Sequence, residues 1–191
     1  MRKADVLKGL QVEQRDGEIK LKQAVYAKKI LMKARMWDYN VVKLPMDPKE
    51  IIHKDEGGVR VNITQFKSMI GGLRCLVHTR PDIAYYVGVV SRYMEKPTLM
   101  HQLAAKRIRR YIKGTLNFCL VYTAGSGSDS VIGYSDSDLA GHVDDRKSTG
   151  GMVFYLNKGL ITWSSQKQKS VALSSCEAEF MAATAASCQA I

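Results

Sequence analysis

Apolar and polar residues alternate twice near the start of the chain. Leu10 and Val12 form one run, Ile19 and Leu21 another, and Asp16-Gly17 lies between them. Alternation is the period of a half-buried strand, and Asp-Gly readily takes the positive φ of a tight turn, so a β-hairpin is expected here. From Gln23 to Met36 the period lengthens to that of a helix. Tyr26, Ile30 and Leu31 share one face, and Lys28, Lys29 and Lys33 lie on another. Residues 40–62 contain Pro45, Pro48 and Gly57-Gly58 and read as a connector. Thr64 is the expected cap of a second helix, in which Phe66, Met69, Ile70, Leu73, Leu76 and Val77 recur at helical spacing. Gly71-Gly72 weakens that helix by about 1 kcal/mol per glycine relative to alanine, and allows another helix to approach closely. Pro81 marks a break and a restart, because proline suits a first helical turn. Ile83, Val87, Val90 and Met94 carry the period to Pro97. Thr98 then caps a third helix ending at Lys113-Gly114.

Beyond Gly114 the pattern becomes strand-like, at Phe118 to Tyr122 and again at Val131 to Ser135. Gly125-Ser126-Gly127-Ser128 between them reads as a turn or short linker. Met152 to Leu156 and Leu160 to Ser164 flank Asn157-Lys158-Gly159, a second hairpin signal. Ser170 to Leu173 is expected as a fourth short strand. From Ser175 onward Ala, Met, Glu and Phe favour a helix. The fold class is therefore α+β, helical in the middle and strand-rich later, with a boundary at about residues 116–128.

The chain has 191 residues, enough for one full domain or two small ones. Its 46% hydrophobic and 25% charged residues are ordinary for a globular protein and exclude collagen-like, mucin-like and wholly disordered chains. No apolar run reaches the roughly 18 residues of a membrane span. Met1 to Lys8 is charged and lacks the apolar core of a secretory signal. Cys75, Cys119, Cys176 and Cys188 show no CxxC spacing, which argues against a disulfide framework or a zinc site. A reduced intracellular compartment, cytoplasmic or nuclear, is expected. The four histidines are scattered and read as surface or packing residues.

Charge changes this picture. The net charge is +11, but residues 1–120 hold 24 Lys and Arg against 11 Asp and Glu, whereas residues 121–191 hold 5 against 7. Such asymmetry points to a phosphate-facing region beside a differently purposed one. Lys106, Arg107, Arg109, Arg110 and Lys113 fall within eight residues of the third helix and could cradle a nucleic-acid backbone. The alternative is a solvated face whose alkyl stems cover the core. Asp136 and Asp138 sit at the end of a strand, where carboxylates can hold a divalent ion. Two such ions about 4 Å apart can hydrolyse a phosphodiester, but the site needs carboxylates from distant chain positions. Glu177 and Glu179 are the next candidates. Ser174-Ser175-Cys176-Glu177 matches a capping box, which gives Glu177 a structural role. Glu179 is not explained by the cap and leads an apolar run. Asp144-Asp145-Arg146-Lys147 reads as a solvated turn, and Tyr134 and Trp163 as sheet residues or stacking platforms. There is no GxGxxG, Walker A or Gly-x-Ser-x-Gly pattern, so P-loop and α/β-hydrolase chemistry have no support.

Three stretches together carry a resemblance. They are Ile70-Gly71-Gly72-Leu73-Arg74 through Thr79-Arg80-Pro81-Asp82-Ile83-Ala84; Ala105 through Thr115; and Gly133-Tyr134-Ser135-Asp136-Ser137-Asp138 with Asp145-Arg146-Lys147-Ser148-Thr149, Ile161-Thr162-Trp163 and Ala172 through Phe180. In this order they resemble the Pol polyprotein of copia-type LTR retrotransposons, from the end of the reverse transcriptase into the RNase H domain. The resemblance implies a helical reverse-transcriptase thumb and connection over residues 1–120. It implies an incomplete RNase H-like mixed α/β sheet over 129–191. Asp136 then matches the first-strand aspartate and Glu179 the first-helix glutamate, both catalytic and both ligands of Mg²⁺, with Asp138 a further candidate ligand. The implied partners are an RNA–DNA hybrid or other nucleic acid and the remainder of Pol. Leu139 stands where the family usually has Trp, and Cys176 where Thr is common. The polymerase palm and the later RNase H carboxylates are not among these residues, so the chain is expected to be catalytically inactive. The alternative is a non-catalytic nucleic-acid- or protein-binding relic.

Overall fold

The computed structural model describes residues 9–125 and 130–191. The N-terminal reading of Met1 to Lys8 and most of the Gly125 to Ser128 linker lie outside the described residues. The chain divides into two compact units, Met1–Val121 and Tyr122–Ile191. Mixed α and β structure is present, with both sheets antiparallel where their register is defined.

The first unit opens with strands β1 (Gln11–Arg15) and β2 (Glu18–Lys22), paired Arg15 to Glu18 across the two-residue turn Asp16-Gly17. Gly17 has φ +72°, the left-handed value such a turn demands. Strand β3 (Leu120–Thr123), across which the boundary between the units falls, follows β2 in the strand order β1-β2-β3. Helices α1 (Ala24–Lys33), α2 (Ile63–Val77), α3 (Ala84–Ser91) and α4 (Leu99–Gly114) follow, with one 3₁₀ turn at Pro81–Ile83. The core is built by their apolar faces: Leu31 from α1, Phe66, Ile70 and Leu73 from α2, Val87 and Val90 from α3, Ile108 and Ile112 from α4. The cap of α2 is Asn62 and not Thr64, because the helix begins two residues earlier and Asn62 Oδ1 accepts from Gln65 N at 2.9 Å. Thr98 caps α4 as expected. Its reciprocal partner is His101, whose Nδ1 accepts from Thr98 N at 2.9 Å while Nε2 donates to His53 O at 2.8 Å. His101 is fully buried and stacks on Tyr93, so it is a packing residue.

The second unit holds β4 (Val131–Ser137), β5 (Thr149–Leu156), β6 (Gly159–Lys167) and helix α5 (Ser175–Ala190). The strand order is β4-β5-β6. All three strands are antiparallel, and α5 adds the helical part of this α+β unit. The Asn157-Lys158 turn is too short for a parallel crossover. Ser170 to Leu173 is not a strand. Ala172 is buried and Leu173 N donates to Glu177 Oε2, so the segment is spent on the entry to α5. Ala178, Ala182 and Ala186 recur every fourth residue on the buried face of α5, which packs on β4 and β5. Their small side chains let the helix lie close to Gly150, where an added Cβ would stand 3.4 Å from Ala182.

Candidate functional site

Asp136 is the penultimate residue of β4, within the strand, and Glu179 sits in the second turn of α5. The packing of α5 on β4 brings them together. Ser137 N lies 2.9 Å from Asp136 Oδ1 and 3.3 Å from Glu179 Oε1, so one backbone N–H addresses both carboxylates. Both side chains are exposed to water. Gln168, which the sequence did not mark, holds the two elements in this register. Its Nε2 donates to Ser137 Oγ at 3.1 Å and to Ala178 O at 2.8 Å, one residue from each carboxylate. No periodicity signals such a residue, because its role depends on contacts between distant segments.

Asp138 does not join the pair. Its Oδ1 accepts from Thr149 N at 2.6 Å, and its carboxylate stands over Gly141, where a Cβ would meet it at 2.1 Å. Glu177 caps α5 as its spacing implies, with a shift of one residue: its carboxylate takes Leu173 N, while Ser174 Oγ accepts from Glu177 N. Among the described residues no group of three or more His, Cys, Asp or Glu is arranged to hold a metal ion. Two hard-oxygen donors open to water nonetheless suit Mg²⁺, which keeps several of its own waters.

The turn Asp144 to Lys147 is partly solvated, with Arg146 exposed, but its acidic residues also have partners. His142 is buried, its Nδ1 lies 2.7 Å from Asp145 Oδ1, and Lys167 Nζ reaches Asp145 Oδ2 at 2.5 Å. Burial works against ionisation of Asp145, but the bonds from Lys167 and Lys147 N outweigh it and hold its carboxyl down at about 2. This network fixes the connection from β4 to β5.

The five cations of α4 do not form one open row. Arg110 Nε donates to Asn40 O at 2.7 Å, and Lys113 Nζ donates to Tyr39 O at 2.8 Å while lying over the Trp37 ring. Arg107 approaches Asp47 at 3.6 Å. These three therefore clasp the 37–47 connector. Lys106 and Arg109 line a cavity instead. Arg109 is 7% exposed, and burial alone pulls its guanidinium down to about 10. Its position was legible, since Ala105, Ile108, Arg109 and Ile112 occupy one helical stripe. Arg80, in the Thr79-Arg80-Pro81-Asp82 motif, is buried for a different reason. It makes a bidentate pair with Asp82 at 2.8 and 2.7 Å and donates to Thr115 O at 2.9 Å, tying the start of α3 to the end of α4.

No model of a protein family matches the chain, and no solved structure matches it. Among the described residues no helix is long and apolar enough to cross a membrane. Curated relatives are more informative. The retrovirus-related Pol polyprotein of transposon TNT 1-94 from Nicotiana tabacum is 40% identical over 173 residues, 86% of this chain and 13% of that protein. The corresponding polyprotein of transposon RE1 from Arabidopsis thaliana is 37% identical over 90% of this chain and 12% of its own length. A secreted RxLR effector protein of Plasmopara viticola is 43% identical over 66% of this chain and 89% of its own. The chain thus spans about an eighth of the Pol polyproteins it matches, and this similarity supports its kinship with a segment of the retrovirus-related Pol polyproteins of transposons.

Proposed function

We propose that these residues are the part of a copia-type Pol polyprotein that runs from the reverse-transcriptase thumb and connection, residues 1–120, into an RNase H-like domain, residues 129–191. The observation that carries this reading is the meeting of Asp136 and Glu179 at Ser137 N, since a strand aspartate beside a helix glutamate is the start of a phosphodiester-cleaving site. Asp136 and Glu179 would hold Mg²⁺, and a bound ion would supply Lewis-acid stabilisation to cleavage of RNA in an RNA–DNA hybrid. Gln168 keeps their elements in register. Asp138 is left as a turn residue. The basic first unit would attract the hybrid backbone, and the rest of Pol is the natural partner.

Two carboxylates do not complete a two-ion site. The 191-residue chain by itself is therefore expected to bind a divalent ion without turning over substrate. Titration with Mn²⁺, followed by calorimetry, should show weak binding that Asp136→Asn and Glu179→Gln each reduce by about tenfold, the loss of one charged ligand. Retained binding in both variants would remove this pair as the site. Incubation of the purified chain with labelled hybrid and Mg²⁺ should leave the RNA intact. Cleavage lost in Asp136→Asn would establish the site and overturn the inactive reading.

A further inference from the structure

Between α1, α2 and α4 lies a cavity of about 760 Å³, a size typical of small-molecule sites. Lys29 and Lys33 enter its lining from α1, Ser68 from α2, and Gln102, Lys106 and Arg109 from α4. No aspartate or glutamate lines it. Arg109 is the informative member. It is more than nine-tenths buried, no carboxylate pairs with it among the described residues, and its Nε has no hydrogen-bond partner. Arg80, comparably buried, shows the contrast, because Asp82 and Thr115 satisfy it. A buried guanidinium without a counter-charge is costly unless an anion arrives to meet it. Its planar fork matches a phosphate, and the three lysines add point charges around it. A continuous nucleic-acid strand is a poorer fit. It would need the cations to run on along α4, and Arg110 and Lys113 are turned to backbone carbonyls.

We propose that this cavity binds a compact phosphate-bearing anion, with Arg109 as its buried contact and Lys29, Lys33 and Lys106 as the surrounding charges. The phosphate can come from a free polyphosphate or from the phosphorylated end of a strand. The site shares no residue with the Asp136–Glu179 pair, so it stands apart from the cleavage reading.

The test is calorimetric titration of the full chain with inorganic triphosphate near physiological salt. Saturable one-to-one binding is expected. Arg109→Met should weaken it by about tenfold or more, and Lys33→Gln and Lys106→Gln by about threefold each. Lys158→Gln, in the turn between β5 and β6, and Asp136→Asn should leave it unchanged. Arg109→Met removes an unpaired buried charge and should melt no earlier than the parent. Should it fail to fold, the two lysine variants carry the test. Competition by a short 5′-phosphorylated oligonucleotide, but not by its unphosphorylated twin, would assign the strand end. Competition by neither would assign the free anion. Equal competition by both, absent triphosphate binding, or the same loss in Lys158→Gln would overturn the proposal.

Discussion

At the scale of single residues, environment decides what a charge does. Arg80 and Arg109 are both buried arginines of the basic unit, yet one is pinned by Asp82 and Thr115 and the other faces a cavity. Charge counting along the sequence treats them alike. Their difference lies in what distant segments bring alongside them. Asp145 makes a similar point and yields a pH prediction. Its carboxyl is held at about 2 in the folded state, below the ordinary 3.8, through Lys167, Lys147 N and His142. A lowered folded value means the group stabilises the fold above about pH 4, and that contribution is lost as pH falls from about 4 toward 2. The urea midpoint of the second unit, followed by Trp163 fluorescence, should therefore fall over this range. In Asp145→Asn it should start lower and fall less steeply. An unchanged acid slope in the variant would show that other carboxylates govern it.

Among the elements, α2 and β4 each contain a glycine whose surroundings set the sign of a substitution. Gly71 lies in the interior of α2 with nothing within 4 Å of an added Cβ, so alanine there loses less backbone entropy on folding. Gly71→Ala is expected to raise stability by about 0.5–1 kcal/mol, measured by urea unfolding. Its neighbour Gly72 meets Ile30 of α1 at 3.6 Å, so the close approach expected of the pair falls to the second glycine alone. Gly133 in β4 is the opposite case. A Cβ would stand 2.5 Å from the buried Phe154 ring, and Gly133→Ala should cost about 2 kcal/mol in the second unit through overpacking. Tolerance of that alanine would mean the ring has room to move. Elements were legible where periodicity was long or turn chemistry specific, as in α2, α4 and the hairpin at Asp16-Gly17. Reading failed at Ser170 to Leu173, where a short apolar pattern was captured by the cap of α5.

For the whole molecule, the two units differ in how much apolar surface each buries. The first has a continuous core from Ala27 to Ile112. In the second, Phe154, Ala172, Ala178, Ala182 and Ala186 are the buried hydrophobics among the described residues, and four of these five are alanine. Burial of alanine contributes little, since stabilisation follows apolar area. The second unit should therefore unfold first. Single-tryptophan variants retaining Trp163 or Trp37 should give separate urea midpoints, with the Trp163 transition lower. Coincident transitions would indicate one cooperative body.

The linear order of residues determined most of the elements, the caps at Thr98 and Ser174, and the candidacy of Asp136 and Glu179, because propensity, turn chemistry and capping act within a few neighbouring residues. Only the tertiary structure decided which charges meet. It set Asp136 beside Glu179 through Gln168, turned Asp138 to Thr149, folded Arg110 and Lys113 onto the 37–47 connector, and left Arg109 facing a cavity. Electrostatic partners are chosen by distance in space, and a folded chain brings residues together irrespective of their separation in sequence.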